Sequence, residues 1–308
     1  MTVQALEPGL PGSLSTTARA DGDLSPAELA ARYGLTVPGR RPPLPEYLRS
    51  LLAYHSFVVA YARARISLVY SSARLGPLWT ILTPVLNVAV YYFIFGYLLD
   101  RKAGAGDSYI AFLSTGVYVF SYTREAFAVG TKAVANQLNL IRAMHFPRAL
   151  LPVALVVQQL FLLGFSVIVI GWVLLAVGEV PSTRWLWVLP AVFLQTMFNL
   201  GAALIMARIG AVLRDVSELI PWVLRVWMYT CGVMYSLTKL TAHAPHWVRI
   251  TLEVNPGAVY IELFRHALLD GYGPTTPEAW PIACFWAVLS LGGGMWFFWR
   301  AEHRYGRG

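Results

Sequence analysis

The stretch ALLPVALVVQQLFLLGFSVIVIGWVLLAVG, residues 149–178, decides the class of fold. It contains no charged side chain, and it is longer than the roughly 20 apolar residues that a helix needs to cross a hydrocarbon core of about 30 Å. We therefore predict a transmembrane helix here. Because the stretch is too long for one perpendicular crossing, its beginning near Pro152 is expected to be tilted or still at the interface.

The rest of the chain has the same apolar character. Of its 308 residues, 57% are hydrophobic and only 13% are charged, whereas soluble domains carry roughly 25% charged residues. This composition excludes a disordered chain, a collagen-like fibre and a disulfide-stapled secreted module, and it argues against a soluble enzyme. The sequence therefore predicts an all-α integral membrane protein.

Six apolar runs have the length of a membrane span, and an even number of spans places both termini on the same side. Arg and Lys are concentrated before the first run, in the loops at 131–148 and 208–214 and in the tail. Because basic loops stay in the cytoplasm, both termini are predicted to be cytoplasmic. The net charge of +8 then fits lipid head groups, and no nucleic-acid partner is predicted. The six predicted helices cover 78–99, 110–130, 149–178, 185–207, 218–237 and 280–299.

Two segments outside these runs have their own patterns. Residues 1–44 form a predicted cytoplasmic extension without a signal peptide, with a short helix from Ser25 to near Gly34. Residues 45–74 place apolar side chains at three- and four-residue steps, as in an amphipathic helix that lies on the membrane. The alternative, a seventh span, would bury Arg63 and Arg65 deep in lipid. The transmembrane domain is assigned to 75–300 and a cytoplasmic tail to 301–308.

The long outer loop, residues 238–279, is moderately apolar but is broken by Pro and Gly. A helix is expected near 254–269, yet Glu262, Arg265 and Asp270 exclude an ordinary span. Short re-entrant or interfacial helices fit best, since irregular backbone at membrane depth must line a cavity.

Motifs for catalysis or for nucleotide binding are missing from the sequence. Gly130-Thr131-Lys132 lacks the preceding glycine and the following hydroxyl of a phosphate-binding loop. Cys231 and Cys284 lie in apolar stretches and are expected to be packing residues. We therefore predict no catalytic residue, no metal site and no cofactor bound by this chain.

Four ordered segments carry a resemblance that no single one of them would support. They are RLGPLW at 74–79 followed by Pro84, LIR at 140–142 followed by FPR at 146–148, RDV at 214–216, and Asn255-Pro256 followed by Arg265. Together they resemble the ABC-2-type membrane subunits that export polysaccharides and teichoic acids. The motif residues carried over are Arg74, Gly76, Trp79, Pro84, Arg214, Asp215, Asn255, Pro256 and Arg265.

The resemblance implies the partners and the location of the protein. It implies a homodimer of this subunit with two copies of a cytoplasmic ABC ATPase, which binds ATP and Mg²⁺, in a bacterial cytoplasmic membrane. The substrate would be a lipid-linked glycan or a teichoic-acid-like polymer. In this family a short helix docks into the ATPase, through apolar anchors and arginines. It maps onto Asn139, Leu140, Ile141, Arg142, Met144, Phe146, Pro147 and Arg148; the alternative is a basic interfacial loop.

Aromatic and charged side chains share faces of two predicted spans. Trp222, Arg225 and Tyr229 have one-face spacing in span five, and Tyr118, Tyr122 and Glu125 have it in span two. Aromatic rings pack against sugar C–H bonds without demanding one hydroxyl pattern, which suits a sliding polymer. Interface belts and core packing are the alternative.

The two intramembrane charges need partners, because an Arg near a helix centre costs about 3 kcal/mol on insertion scales. Arg225 and Glu125 either form an ion pair or contact a diphosphate head group and sugar hydroxyls. Arg124 is a less direct partner for Glu125, because neighbouring residues on a helix point apart.

The sequence therefore predicts the permease subunit of an ATP-driven exporter of lipid-linked glycans, and not an enzyme. Two alternatives stay open. One is an exporter of small hydrophobic drugs or lipids, and the other is a polyprenyl-dependent membrane glycosyltransferase, for which no paired acidic residues are recognisable.

Overall fold

The computed structural model describes residues 28, 43–71, 78–98, 109–143, 146–213, 215–237, 244–270, 272 and 278–302. Nearly all of them belong to Leu44–Gly308, the larger of two units into which the chain divides. Of the helix predicted from Ser25 to near Gly34, the structure describes Glu28 alone, which is helical. Arg74, Gly76, Met144 and Arg214 lie outside the described residues.

The described residues are mostly α-helical, and no strand occurs among them. The helices are α1 (Leu44–Ala53), α2 (His55–Ser71), α3 (Leu78–Tyr91), α4 (Tyr109–Lys132), α5 (Leu138–Ala143), α6 (Leu150–Val177), α7 (Val188–Val212), α8 (Val216–Thr230), α9 (His246–Glu253), α10 (Pro256–Leu268) and α11 (Ala279–Arg300). A π-helical turn, Tyr92–Leu98, continues α3, and 3₁₀ turns Ala135–Gln137 and Thr183–Trp187 precede α5 and α7. The predicted all-α class is confirmed.

Three helices in the described part are long and apolar enough to cross a membrane. They are Leu150–Val177, Thr183–Val212 and Ala279–Arg300, and they confirm the predicted spans at 149–178, 185–207 and 280–299 as apolar helices of membrane length. Gly178 ends α6 with a φ of 96°, and its N–H bonds to a carbonyl of the last turn. A left-handed residue at this position is the usual glycine stop.

The other three predicted spans differ in character. The first combines α3 with the π-helical turn, and the second, α4, is 24 residues long but includes Arg124, Glu125 and Lys132. The fifth was predicted to run to residue 237, which is wrong. Helix α8 has 15 residues, about 22 Å at 1.5 Å per residue, and the backbone turns at Gly232 with a φ of 65°. Six spans therefore stay a proposal.

Helix α7 occupies the centre of the bundle, between α4 and α11. Small residues allow this close packing. A Cβ added to Gly201 would lie 2.1 Å from the Ser290 backbone, and one added to Gly294 would lie 2.3 Å from the Gly201 carbonyl oxygen. Backbones that approach this closely are typical of helix packing in membranes, where association depends on van der Waals contact.

The predicted amphipathic segment forms two helices instead of one, with a turn at Tyr54 between α1 and α2. Helix α2 packs along α6, where Val58 and Ala62 are buried. Arg63 is exposed and Arg65 is half-buried. The segment thus contacts the helical bundle on one side, and Arg65 belongs to that side.

Candidate functional site

A cavity of about 550 Å³ lies between α4 and α8 and contains the charged residues predicted from the sequence. Arg124 and Glu125 line it from α4, and Arg225 and Tyr229 line it from α8. The rest of the lining is apolar, with Leu224 among its members. The cavity therefore offers both signs of charge and an aromatic ring within a mostly apolar wall.

The Glu125 carboxylate binds its sequence neighbour. Arg124 donates to Glu125 Oε1 from Nη2 at 2.9 Å and from Nε at 3.2 Å. The expectation that Arg124 is only an indirect partner is wrong, because the long arginine side chain curls back to reach the adjacent residue. Both groups are partly exposed, so they also remain accessible from the cavity.

Arg225 is exposed on the isolated chain and contacts Trp222. Its guanidinium carbon lies 4.9 Å from the centre of the Trp222 ring, which is a cation–π distance. Trp222 and Tyr229 are also exposed, at 64% and 49%. The predicted face of α8 is thus largely exposed on this chain, so much of it faces lipid, water or another molecule.

A second cavity, of about 230 Å³, lies between α3, α4 and α6. Tyr118 and Tyr122 line it, together with Trp79 of α3 and the same Arg124 and Glu125. The Arg124–Glu125 pair therefore stands between two cavities. Tyr118 and Tyr122 are themselves buried, at 3% and 4% exposure, so they present only part of their rings to the space.

A buried polar seam behind these tyrosines was not predicted from the sequence. Gln195 donates to the Val119 carbonyl at 2.9 Å and to the Thr123 hydroxyl at 3.0 Å, joining α7 to α4. Tyr122 donates to Thr196 Oγ1 at 3.0 Å. The sequence signal for this seam is the set of uncharged polar residues inside the apolar runs. Such residues form hydrogen bonds that hold transmembrane helices together.

Arg265 is a structural anchor at the other end of α4. It is 3% exposed and donates to the Gly232 and Val233 carbonyls at 2.9 and 2.8 Å and to the Phe112 carbonyl at 3.1 Å. Its guanidinium carbon also lies 3.3 Å from the centre of the Phe112 ring. This one side chain thus joins α10 to α4 and to the turn that ends α8.

Asn255 organises the start of α10. Its side-chain oxygen accepts from the Gly257 N–H at 3.1 Å, which is an N-cap, and from Trp227 Nε1 at 2.8 Å. Pro256 occupies the first turn, where its missing N–H costs no hydrogen bond. Asn255 and Pro256 therefore begin α10, and Asn255 and Arg265 hold this helix against α8 and the turn that follows α8.

The remaining motif residues have different surroundings. Trp79 is 43% exposed at the start of α3, and Pro84 lies within that helix. Asp215 is exposed and is the N-cap residue of α8, but its side chain makes no capping bond.

The segment predicted to dock into the ATPase is held by contacts within the chain. Ile141 is buried, with Leu140 packed beside it, and the Phe146 ring centre lies 5.8 Å from that of Phe57 in α2. Asn139 is exposed and Pro147 is half-buried, while Arg142 is described only as a residue of α5. Ile141 and Phe146 therefore fix this segment to α2 and to the bundle, and its exposed surface includes Asn139.

Glu302, just after α11, joins three elements near this segment. Its carboxylate accepts from Tyr47 Oη of α1 and from the Arg148 N–H, both at 2.9 Å. The Arg148 guanidinium also donates to the Glu302 carbonyl. Burial raises the pKa of Glu302, and the bonds from Arg148 and Tyr47 partly offset that rise.

A family model described as the ABC-2 type transporter matches residues 56–269. The chain belongs to the ABC-2 type transporter family. Membership makes it a multi-pass membrane subunit that serves transport and is not an enzyme, and it implies an ABC ATPase as partner. Among the described residues, no three His, Cys, Asp or Glu side chains gather as a metal ion requires.

Curated relatives of this ABC-2 subunit include O-antigen export permeases. The O-antigen export system permease protein RfbA of Myxococcus xanthus is 24% identical over 250 residues, which are 79% of this chain and 94% of the relative. The Klebsiella pneumoniae protein of the same name is 25% identical over 66% of this chain and 76% of its own length. The inner membrane transport permease YadH of Escherichia coli (strain K12) is 29% identical over 62% of this chain and 75% of the relative.

Proposed function

We propose that this subunit exports a lipid-linked cell-surface polysaccharide, or a teichoic-acid-like polymer, across the bacterial cytoplasmic membrane, driven by a separate ATPase. The observation that carries the proposal is the match to O-antigen export permeases, which extends over 94% of the Myxococcus xanthus relative. The proposed assembly is a homodimer with two ATPase copies, six spans per subunit and cytoplasmic termini.

The cavity between α4 and α8 supports a polymer as substrate. Arg225, Tyr229 and the Arg124–Glu125 pair line it, and Trp222 extends the aromatic surface along α8. Aromatic faces contact sugars of varied hydroxyl pattern, while the charged groups bind hydroxyls or phosphate. In a homodimer the exposed face of α8 would line the passage with its counterpart on the partner.

The proposal is tested by depleting the subunit in its native bacterium and measuring lipid-linked oligosaccharides by mass spectrometry. We expect the lipid-linked glycan to accumulate inside the cell and the surface polymer to fall. Wild-type complementation should reverse both changes. If depletion leaves the amount of lipid-linked glycan unchanged and makes the cells sensitive to hydrophobic drugs, the proposal is contradicted. That result would favour the exporter of drugs or lipids. The YadH match does not distinguish the two candidates, because that name specifies no cargo.

A further inference from the structure

A third cavity, of about 270 Å³, lies where α4 leads towards residues 139–148, the segment predicted to dock into the ATPase and called the docking segment below. Five elements line it, namely α2, α4, the 3₁₀ turn Ala135–Gln137, α6 and α8. The polar groups that line it are Arg65, Lys132, Asn136, Gln137 and Ser217. No acidic residue is among the described side chains that line this space.

Among the described residues that line this cavity, Arg65 has a buried polar atom that the fold leaves unsatisfied. Its Nε is shielded from solvent and has no hydrogen-bond partner among the described residues. Leaving a buried donor without an acceptor costs roughly 1–3 kcal/mol, and more for a charged group. Arg63, two positions earlier on the same helix, is exposed. The two arginines of α2 are therefore not equivalent, and the cavity holds only one of them.

The donors in this cavity match an anion with several oxygens. A guanidinium and an ammonium make short, charge-assisted hydrogen bonds to phosphate oxygens, and the Asn136 and Gln137 side chains add neutral donors. One water molecule needs roughly 10–15 Å³ of such accessible space, so 270 Å³ leaves room for a diphosphate. Val129 and Leu155 supply apolar wall, which suits a ligand whose remainder stays in the membrane.

We propose that Arg65 and Lys132 bind the phosphate group of a lipid head group in this cavity. Arg65 Nε is the preformed donor, and Lys132 provides the second positive charge from the end of α4. Two sources have this chemistry, a polyprenyl diphosphate and an anionic phospholipid. Assigning the site to the carried lipid diphosphate rests on the proposed function, whereas phosphate binding itself rests on the geometry of the cavity.

The test uses the full-length subunit in nanodiscs of phosphatidylcholine, with undecaprenyl diphosphate or phosphatidylglycerol added as separate probes. Native mass spectrometry measures the bound fraction. Arg65→Gln with Lys132→Gln is expected to weaken binding of the preferred probe at least tenfold. Because Lys132 is exposed, Lys132→Gln alone should weaken binding of the preferred probe several-fold without disturbing the fold. Arg63→Gln removes the same charge from an exposed position of α2, and it should bind like the wild type.

The two probes distinguish the sources of the phosphate. Retention of undecaprenyl diphosphate against an excess of phosphatidylglycerol identifies the carried lipid, and equal competition identifies a general phospholipid site. The site is overturned if Arg63→Gln weakens binding as much as the double change, or if the double change binds normally. Glycan accumulation on depletion is measured independently, so failure of the site and failure of the proposed export function remain distinguishable.

Discussion

Arg265 donates to carbonyls of α4 and of the turn after α8, and Gly116 leaves the room it needs. A Cβ on Gly116 would lie 2.6 Å from Arg265 Nη2. Arg265→Lys is expected to lower the thermal unfolding temperature of the purified subunit, because each buried acceptor left without a donor costs about 1–3 kcal/mol. Gly116→Ala should act in the same direction by displacing the guanidinium.

The matched control for this prediction is Arg249→Lys. Arg249 is exposed and pairs with Glu253 at 2.7 Å, one turn along α9, an arrangement worth only about 0.3–0.5 kcal/mol. The unfolding temperature of the Arg249→Lys subunit should stay near that of the wild type. An Arg265→Lys subunit as stable as the Arg249→Lys subunit would contradict the anchoring role.

The stability of the folded subunit is expected to depend on pH through Glu302, which lies where α1, the docking segment and α11 meet. Because folding raises its pKa, the folded state holds this proton more tightly than the unfolded state. The stability that the carboxyl contributes is therefore present below its ordinary pKa, and it is lost as pH rises through the raised value. Glu302→Gln, which can still accept from Arg148, should flatten that dependence in thermal unfolding measured from acidic to neutral pH.

Glu302→Leu distinguishes hydrogen bonding from charge at this position. It leaves the Tyr47 hydroxyl and the Arg148 N–H without their acceptor, so the unfolding temperature should fall at every pH. If Leu and Gln behave alike, the two hydrogen bonds contribute nothing measurable.

At the scale of elements, α7 and α11 meet through glycines. Gly201→Ala and Gly294→Ala are each expected to lower the amount of folded subunit in membranes, because the added methyl group meets backbone atoms of the facing helix. Overpacking a well-packed contact costs typically 1–3 kcal/mol. Gly292→Ala is the control on the same helix, since nothing lies within 4 Å of its added Cβ. Equal abundance of all three variants in quantitative blots would refute this packing.

Two variants of the docking segment test its role in folding and its contact with the ATPase separately. Phe146→Ala removes the ring contact with Phe57 and is expected to lower the abundance of the subunit in the membrane. Asn139→Arg changes an exposed position, so it should keep abundance normal and reduce copurification with the ATPase. His55→Arg, exposed on α2, is the control. Normal ATPase copurification and export by Asn139→Arg would exclude this face from the interface.

At the scale of the whole molecule, variants of Arg225 and Glu125 test whether the substrate passes through the cavity between α4 and α8. Glu125 already binds Arg124, and Arg225 is exposed beside Trp222. We therefore expect Arg225→Met to leave abundance near normal and to reduce surface polymer. A double-mutant cycle with Glu125→Gln should give additive effects on abundance. Rescue of an Arg225→Met abundance defect by Glu125→Gln would instead show a structural pair between them.

Local patterns predicted many features correctly. The apolar runs in α6, α7 and α11 and the helix near 254–269 follow from composition and spacing, because hydrophobic length and periodicity are properties of the chain alone. The length of α8 could not be predicted this way. Its stop depends on Gly232 and on Arg265, which lies 33 positions further along the chain from Gly232.

The sequence by itself determined that this protein is an all-α membrane subunit, because the length of its apolar runs leaves few other folds. Only the tertiary structure decided which charged side chain meets which partner. It bonded Arg265 to the Gly232 and Val233 carbonyls, placed Arg65 but not Arg63 in a cavity, and turned Ile141 and Phe146 towards their own chain. Burial and hydrogen bonding depend on which helices pack together, and residues distant in sequence set that packing.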